Sequence, residues 1–231
     1  MVAGMKADNL GKERREAHAR VLARTRQTLA VLRTHRPALR VGPYGLVEFA
    51  EVAARVGGLV EAREVADVAF RVARMAFLLG NRQVRFLSLK VPLLIAGYFQ
   101  KGTAVAELLP EIWALVPRTP AVVMRRARKV LAAWKCADEA LAERTPPEPP
   151  VVLGLVGVEE FRGLVEGQAG LEQAMENAAS ELRAGRIALR GETRSLDKVN
   201  KRFFQKLRAE ARLDAAVGSA LSQITTEPSG R

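Results

Sequence analysis

The sequence predicts an all-α protein, and three observations lead to this fold class. Of its 231 residues, 48% are apolar but only 5% are aromatic, so the core must be built mostly from Leu, Val and Ala. Ala, Leu, Glu and Arg favour helices, whereas the aromatic residues and Thr that are enriched in strands are scarce. The third observation is a long internal repeat. Together they predict a pseudo-two-fold bundle of four main helices, with short helices closing each half.

The repeat spans about a hundred residues. The segment "VGPYGLVEFAEVAARVGGLVEAREV" begins at Val41 and aligns without a gap with "LGLVGVEEFRGLVEGQAGLEQAMEN", which begins at Leu153, an offset of 112 residues. Solenoid repeats have periods of about 20–50 residues, so this is a different architecture. We predict a tandem duplication whose two units pair face to face and pack as one domain. Its predicted parts are an N-terminal extension (1–11), a first unit (12–112) and a second unit (119–231).

Each unit is predicted to begin with an amphipathic helix. In the first unit this is "KERREAHARVLARTRQTLAVLRTHR", which ends before Pro37, and in the second "TPAVVMRRARKVLAAWKCADEALAER", which ends before Pro146. Thr119 is a suitable N-cap, and Pro120 is tolerated in a first helical turn. Both boundaries therefore follow from local chain chemistry.

A second, longer helix is predicted after a shared Gly-x-x-Gly turn, over about 46–89 and from residue 158 past Asn200. Gly58 and Gly170 lie inside these helices, where glycine costs about 1 kcal/mol relative to alanine. We therefore expect a kink or a close helix crossing at both. The apolar residues keep one helical phase across Gly191, which favours a continuous helix over a hairpin.

The stretch "LDKVNKRFFQKLRAEAR" places Phe203 on the apolar side of the second long helix, which predicts a core residue. The equivalent segment of the first unit contains Pro92, so a joint followed by a short apolar helix is expected there. This stretch resembles the ends of some uncharacterised helical bacterial proteins, and the resemblance implies no activity. The opposite face is a candidate basic face, formed by Lys198, Lys201, Arg208 and Arg212.

The sequence contains no recognisable catalytic motif. His18 and His35 are not at a metal-ligand spacing, and Cys136 beside Trp134 is expected to be a buried thiol. The glycine turns lack the Gly-Lys-Ser/Thr ending of a phosphate-binding loop. No catalytic residue, metal or cofactor is predicted, and the protein is not expected to be an enzyme.

Two rows of arginine are candidate sites for an anion or a protein partner, because guanidinium groups bind phosphate and carboxylate groups bidentately. The alternative is that they are solvated helix faces paired with nearby glutamates. The rows recur at the 112-residue offset and consist of Arg71, Arg74 and Arg82, and of Arg183, Arg186 and Arg194.

The formal net charge is +12, from 37 Lys and Arg against 25 Asp and Glu. Such a charge attracts nucleic acid, acidic proteins or anionic lipid, although a GC-rich genome also produces an arginine-rich chain. The leading hypothesis is a non-catalytic structural or protein-interaction module with a protein partner or self-association. The alternative is a nucleic-acid-binding protein that uses the basic faces of 12–40 and 183–212, and an enzyme whose site is assembled in space ranks third.

The longest apolar run, "VPLLIAGYF", is too short to span a membrane, and the single cysteine fits the cytoplasm.

Overall fold

The computed structural model describes the backbone of residues 2–224 and the side chains of residues 17–224. Residues 225–231, the end of the second predicted repeat unit, lie outside the described part, as does Met1. The described part is all-helical apart from two isolated bridges, which confirms the all-α class. Its six helices are α1 (Val2–His35), α2 (Leu46–Tyr98), α3 (Ala104–Trp113), α4 (Pro120–Ala142), α5 (Val158–Glu210) and α6 (Ala215–Ser222).

The same tight turn precedes both long helices. Before α2, Val41 and Tyr44 exchange backbone hydrogen bonds of 2.8 and 3.2 Å. Between them Gly42 has a φ of +59°, a conformation that favours glycine. Gly45 N then donates to Glu48 Oε2 at 2.8 Å, as in a capping box. The turn before α5 is built in the same way from Leu153, Gly154, Val156, Gly157 and Glu160.

The expected joint at Pro92 is wrong, because α2 continues through this residue. A proline in a helix leaves the carbonyl four residues earlier without its backbone donor, here that of Ser88. The buried Arg126 of α4 supplies the replacement, since its Nε donates to Ser88 O at 2.9 Å. Its Nη1 also donates to Ile112 O and Leu115 O, both at 2.7 Å, at the end of α3.

A close helix crossing at Gly58 and Gly170, one of the two expectations, is also wrong, whereas a kink at these glycines stays a prediction. Both glycines are exposed, and a Cβ added to either would meet nothing within 4 Å. The close approach is at Gly80, where an added Cβ would lie 2.5 Å from Gln168 Oε1 and 2.9 Å from Leu171 Cδ1. Glycine therefore lets α2 approach α5 at Gly80, a position that the repeat did not single out.

The α5 helix is continuous through Gly191, as predicted. Phe203 is fully buried, which confirms that it is a core residue. Its ring stacks on that of Phe49, with centroids 4.7 Å apart.

The chain forms two compact units that do not follow the order of the sequence. The first compact unit contains Met1–Asp67 and Glu181–Arg231, and the second contains Val68–Ser180. Neither coincides with a predicted repeat unit. The first unit therefore combines α1 and the start of α2 with the end of α5 and α6. The second combines the end of α2, α3 and α4 with the start of α5. Each long helix thus contributes to both units.

Each unit has its own apolar core. The core of the first unit surrounds the Phe49 and Phe203 pair, and α1 packs against α6. The core of the second unit surrounds Trp134 and Phe161, whose ring centroids lie 5.8 Å apart, and α3 packs against α4. The indole Nε1 of Trp134 donates to Val151 O at 2.9 Å, which ties the α4–α5 connection to this core.

Cys136 is exposed, so the expectation of a buried thiol is wrong. Trp134 and Ala137 are the residues of this turn that are fully buried. Because each helical residue is rotated by about 100° from the last, Cys136 lies on the far side of α4 from Trp134.

Candidate interaction surface

The end of α2 has apolar residues on its exposed face as well as on its core face. Val84, Leu87, Val91 and Ile95 are buried in the core of the second unit. The exposed apolar side chains opposite them range from 37% exposed at Leu89 to 65% exposed at Val72. With one arginine they form what we call the α2 stripe: Val68, Val72, Met75, Leu79, Arg82, Phe86, Leu89 and Leu93.

The spacing of the α2 stripe is that of a coiled-coil contact surface. Successive members are separated alternately by four and three residues from Val68 to Leu93. This period of 3.5 residues lets a helix keep one narrow face against another helix. Arg82 is the single charged member. The stripe therefore forms one narrow, continuous face along α2.

The α2 stripe lies in a strongly basic segment. From Val68 to Tyr98 the helix carries five basic residues and no Asp or Glu. All five side chains are exposed. The first predicted arginine row therefore lies in or beside the α2 stripe: Arg71, Arg74 and Arg82. The five basic residues are Arg71, Arg74, Arg82, Arg85 and Lys90.

The corresponding positions of α5 lack such a surface. At the 112-residue offset, only Ile187 is a large apolar residue, and it is 69% exposed. The apolar face is therefore specific to α2, and α5 offers a control surface within the same chain. The corresponding α5 residues are Ser180, Ala184, Ile187, Gly191, Arg194, Lys198, Lys201 and Gln205.

The second predicted arginine row lies in the other compact unit. Arg183 and Arg194 are exposed, and Arg186 Nη2 lies 3.4 Å from Asp67 Oδ1. A groove shared by both rows stays a prediction. Because Arg186 is paired with Asp67, this row agrees better with the alternative interpretation, a solvated helix face whose arginines are neutralised by nearby acidic residues.

The candidate basic face of α5 is solvent-facing, with all four predicted residues exposed. Lys201 Nζ lies 2.7 Å from Asp197 Oδ2, one turn earlier. Arg208 lies in the last turn of α5, and Arg212 lies just beyond its end at Glu210. Lys198 is on the same helix, so the face extends along about four turns.

Sequence reasoning missed an ion-pair cluster beside an open groove of about 850 Å³ in the first unit. Arg36 donates from Nε to Glu210 Oε2 and from Nη2 to Asp214 Oδ2, both at 2.7 Å. The bond from Arg36, together with backbone N–H groups of α6, lowers the pKa of the Asp214 carboxyl. The cluster joins the end of α1 to the start of α6, so its charges are already paired. Asp214 lies directly before α6, so the sequence could have identified it as an N-cap. Its bond with Arg36, 178 residues away, could not be found in this way.

A largely apolar cavity of about 430 Å³ lies between α1, α2 and α5 of the same unit. His18 lines it, and its Nδ1 lies 3.0 Å from Thr193 Oγ1. Burial, and then the charges of Arg63 and Arg190, lower the pKa of His18, so its ring is neutral at pH 7. Thr193 does not line the cavity, so this pair fits an α1–α5 link better than a nucleophile with its base.

The chain matches no protein-family model, no curated protein and no solved structure. Over the part that the structure describes, no group of His, Cys, Asp and Glu side chains could hold a metal ion. Within that same part, no helix has the length and apolar character needed to cross a membrane.

Proposed function

We propose that this protein is a non-catalytic protein-interaction module that binds a helix of its partner along the α2 stripe. The observation that carries the proposal is the α2 stripe itself, seven exposed apolar side chains at coiled-coil spacing. Burial of a fully exposed side chain of this kind contributes about 1.5–3 kcal/mol, and the stripe members, which are about half exposed, would each contribute part of that. Large exposed apolar patches on soluble proteins mark interaction sites, so a partner helix would gain most of its affinity here.

The proposal includes a tandem duplication and a pseudo-two-fold bundle as the origin of the fold. Matching glycine turns, and long helices of 53 residues each at matching positions, support it. Fully buried Phe49 and Phe161 correspond at the repeat offset, as do Val84 and Leu196. On this proposal the core positions of the two copies stayed alike. The exposed face became apolar in α2 alone, as expected if one copy acquired a partner.

Nucleic-acid binding is the second candidate function. Its support is the acid-free end of α2 and the exposed basic residues of α5. Binding of this kind depends on phosphate neutralisation and weakens steeply with salt. It does not require exposed Leu, Met and Phe at regular spacing, so it leaves the α2 stripe unexplained. The proposed location is the cytoplasm, where an exposed Cys136 would stay reduced.

The test is binding of a fluorescent 28-residue helical probe with Leu at its contact positions and Gln at the flanking positions. We expect the full-length protein to bind it, and the double variant Leu79→Glu/Phe86→Glu to bind at least about tenfold more weakly. Both side chains are more than half exposed, so the variant should keep its fold, which circular dichroism checks.

The matched control is Ile187→Glu, at the α5 position that corresponds to Met75. It should bind the probe like the parent protein. Equal loss in both variants, or no binding by the parent, would contradict the proposed function. A labelled DNA duplex titrated at about 50–200 mM salt tests the second candidate, which predicts strong binding that salt removes.

A further inference from the structure

We propose that the partner helix is acidic, with Asp or Glu on both flanks of its apolar face and one within that face opposite Arg82. This inference rests on the proposed function and names the chemistry of the partner. It follows from the charges in and beside the α2 stripe, from their distribution along the helix, and from the position of Arg82.

The flanking positions of the α2 stripe carry one sign of charge. Arg71 and Arg85 immediately precede the stripe members Val72 and Phe86, and Lys90 follows Leu89. In helix pairs, residues at these flanking positions select the partner by charge. Because α2 has no acidic residue between Val68 and Tyr98, Arg85 and Lys90 have no carboxylate within one turn of their own helix. The complementary surface is a helix with acidic flanks.

Arg82 extends the argument to the centre of the contact. It occupies a stripe position between Leu79 and Phe86, where a partner helix would cover it. A buried charge is costly unless it is paired and hydrogen-bonded. A carboxylate at the facing position of the partner would pair with it and would fix the register of the two helices.

A second copy of this chain fits the face poorly. If two α2 stripes met over residues 68–93, each copy would bring five basic residues and no acidic one, and a parallel pair would place Arg82 against Arg82. Like charges across an interface disfavour association, so this pairing would be weak. Self-association through the α2 stripe is therefore one outcome that would contradict the inference.

An anionic membrane surface is the other competing occupant, since helices that lie on membranes are also basic and apolar. Two features favour a helix. The alternation of four and three residues gives a narrow face, whereas a membrane-bound helix presents a broad one. Arg82 also lies in the middle of the apolar face, where it would enter the lipid layer and be costly.

The experiment compares three probes that share the Leu contact positions and differ only at the flanking positions, which carry Glu, Gln or Lys. We expect the Glu probe to bind the full-length protein about tenfold more tightly than the Gln probe, and the Lys probe more weakly than both. The preference should shrink as salt rises from about 50 to 500 mM.

A further Glu-flanked probe with one Glu opposite Arg82 tests the register, using Arg82→Glu against its α5 counterpart Arg194→Glu. We expect Arg82→Glu to weaken binding of this probe at least tenfold and Arg194→Glu to leave it within about twofold. Equal effects of the two variants would overturn the role of Arg82.

The outcomes separate the two proposals. Equal binding of the Glu, Gln and Lys probes overturns the acidic partner but leaves the interaction module standing. If no probe binds, the interaction module fails as well. Tight binding of phosphatidylserine vesicles that Leu79→Glu/Phe86→Glu abolishes, with no probe bound, assigns the face to a membrane. Concentration-dependent dimers in sedimentation that the same variant abolishes assign it to a second copy.

Discussion

At the scale of single residues, Arg126 accounts for the most unusual local feature of the protein, a proline inside a long helix. Arg126 is 4% exposed, and burial lowers the pKa of its guanidinium. The backbone carbonyls of Ser88, Ile112 and Leu115 accept its hydrogen bonds. One side chain thus satisfies a carbonyl freed by proline and two carbonyls at a helix end.

Replacing Arg126 with Met should therefore destabilise the fold although the substitution is apolar and similar in length. We expect the free energy of unfolding to fall by about 3 kcal/mol, because buried carbonyls lose charged donors. Urea unfolding with an unchanged m-value measures this loss. The exposed Arg128 on the same helix is the control, and Arg128→Met should change stability by less than about 0.5 kcal/mol.

Pro92→Ala tests whether Arg126 compensates for the backbone donor that the proline removes from Ser88 O. Alanine restores a backbone N–H that can donate to Ser88 O, so it should stabilise the Arg126→Met variant more than the parent protein. A double-mutant cycle in urea measures this difference, with an expected coupling of about 1 kcal/mol. Additive effects would show that Arg126 does not compensate for the proline.

At the scale of elements, the short α6 helix is held at its first residue. Asp214 is its N-cap and accepts from the backbone N–H groups of Ala216 and Val217. Arg36, just beyond the end of α1, donates to the same carboxylate. The bond from Arg36 is the largest cause of the lowered pKa of Asp214. A single ionised carboxylate thus joins two helix ends.

This arrangement predicts a pH dependence of stability. A carboxyl whose pKa is lowered by folding stabilises the protein above its ordinary pKa of about 4, and this contribution is lost as pH falls through the lowered value. Asp214→Asn keeps an acceptor for the cap but loses the charge. The difference in urea midpoint between parent and variant should be full at about pH 5–7 and should shrink below about pH 4.

Asp197→Asn is the control, because among the described residues Asp197 pairs with the exposed Lys201 one turn away. Its midpoint should stay close to that of the parent at every pH. If the difference in urea midpoint between the parent and Asp214→Asn stayed constant down to about pH 2, the predicted contribution of the ion pair would be contradicted.

At the scale of the whole molecule, the compact units combine sequence segments from both predicted repeats. The first unit takes Met1–Asp67 from the start of the chain and Glu181–Arg231 from its end. Phe49 and Phe203, which are stacked in its core, come one from each predicted repeat. Cooperative unfolding should therefore follow the spatial units, because each has its own core.

Hydrogen exchange should detect this division. Phe49→Ala removes a fully buried ring at a cost of about 3–5 kcal/mol and should accelerate exchange mainly in 17–67 and 181–224. Phe161→Ala, its counterpart in the other core, should accelerate exchange mainly in 68–180. Acceleration confined to 17–112 by Phe49→Ala would show instead that the sequence repeats are the cooperative units.

The sequence by itself determined the local features of this protein. The helix starts at Thr119 and Pro120, the continuity of α5 through Gly191 and the burial of Phe203 were all predicted. They depend on neighbours within a few turns of the chain, whose chemistry and spacing can be read directly. Arg71, Arg74 and Arg82 were singled out for the same reason, because their helical spacing is visible in the sequence, whereas Arg85 and Lys90 were not.

Only the tertiary structure decided which helix faces meet. The Ser88 carbonyl is bonded by Arg126, 38 residues away, and this contact carries α2 past Pro92. Gly80 is the glycine at the helix crossing because Gln168 lies against it. The regular spacing of the α2 stripe was present in the sequence. Its exposure was not, because α2 has two apolar faces and the folded chain covers only one of them.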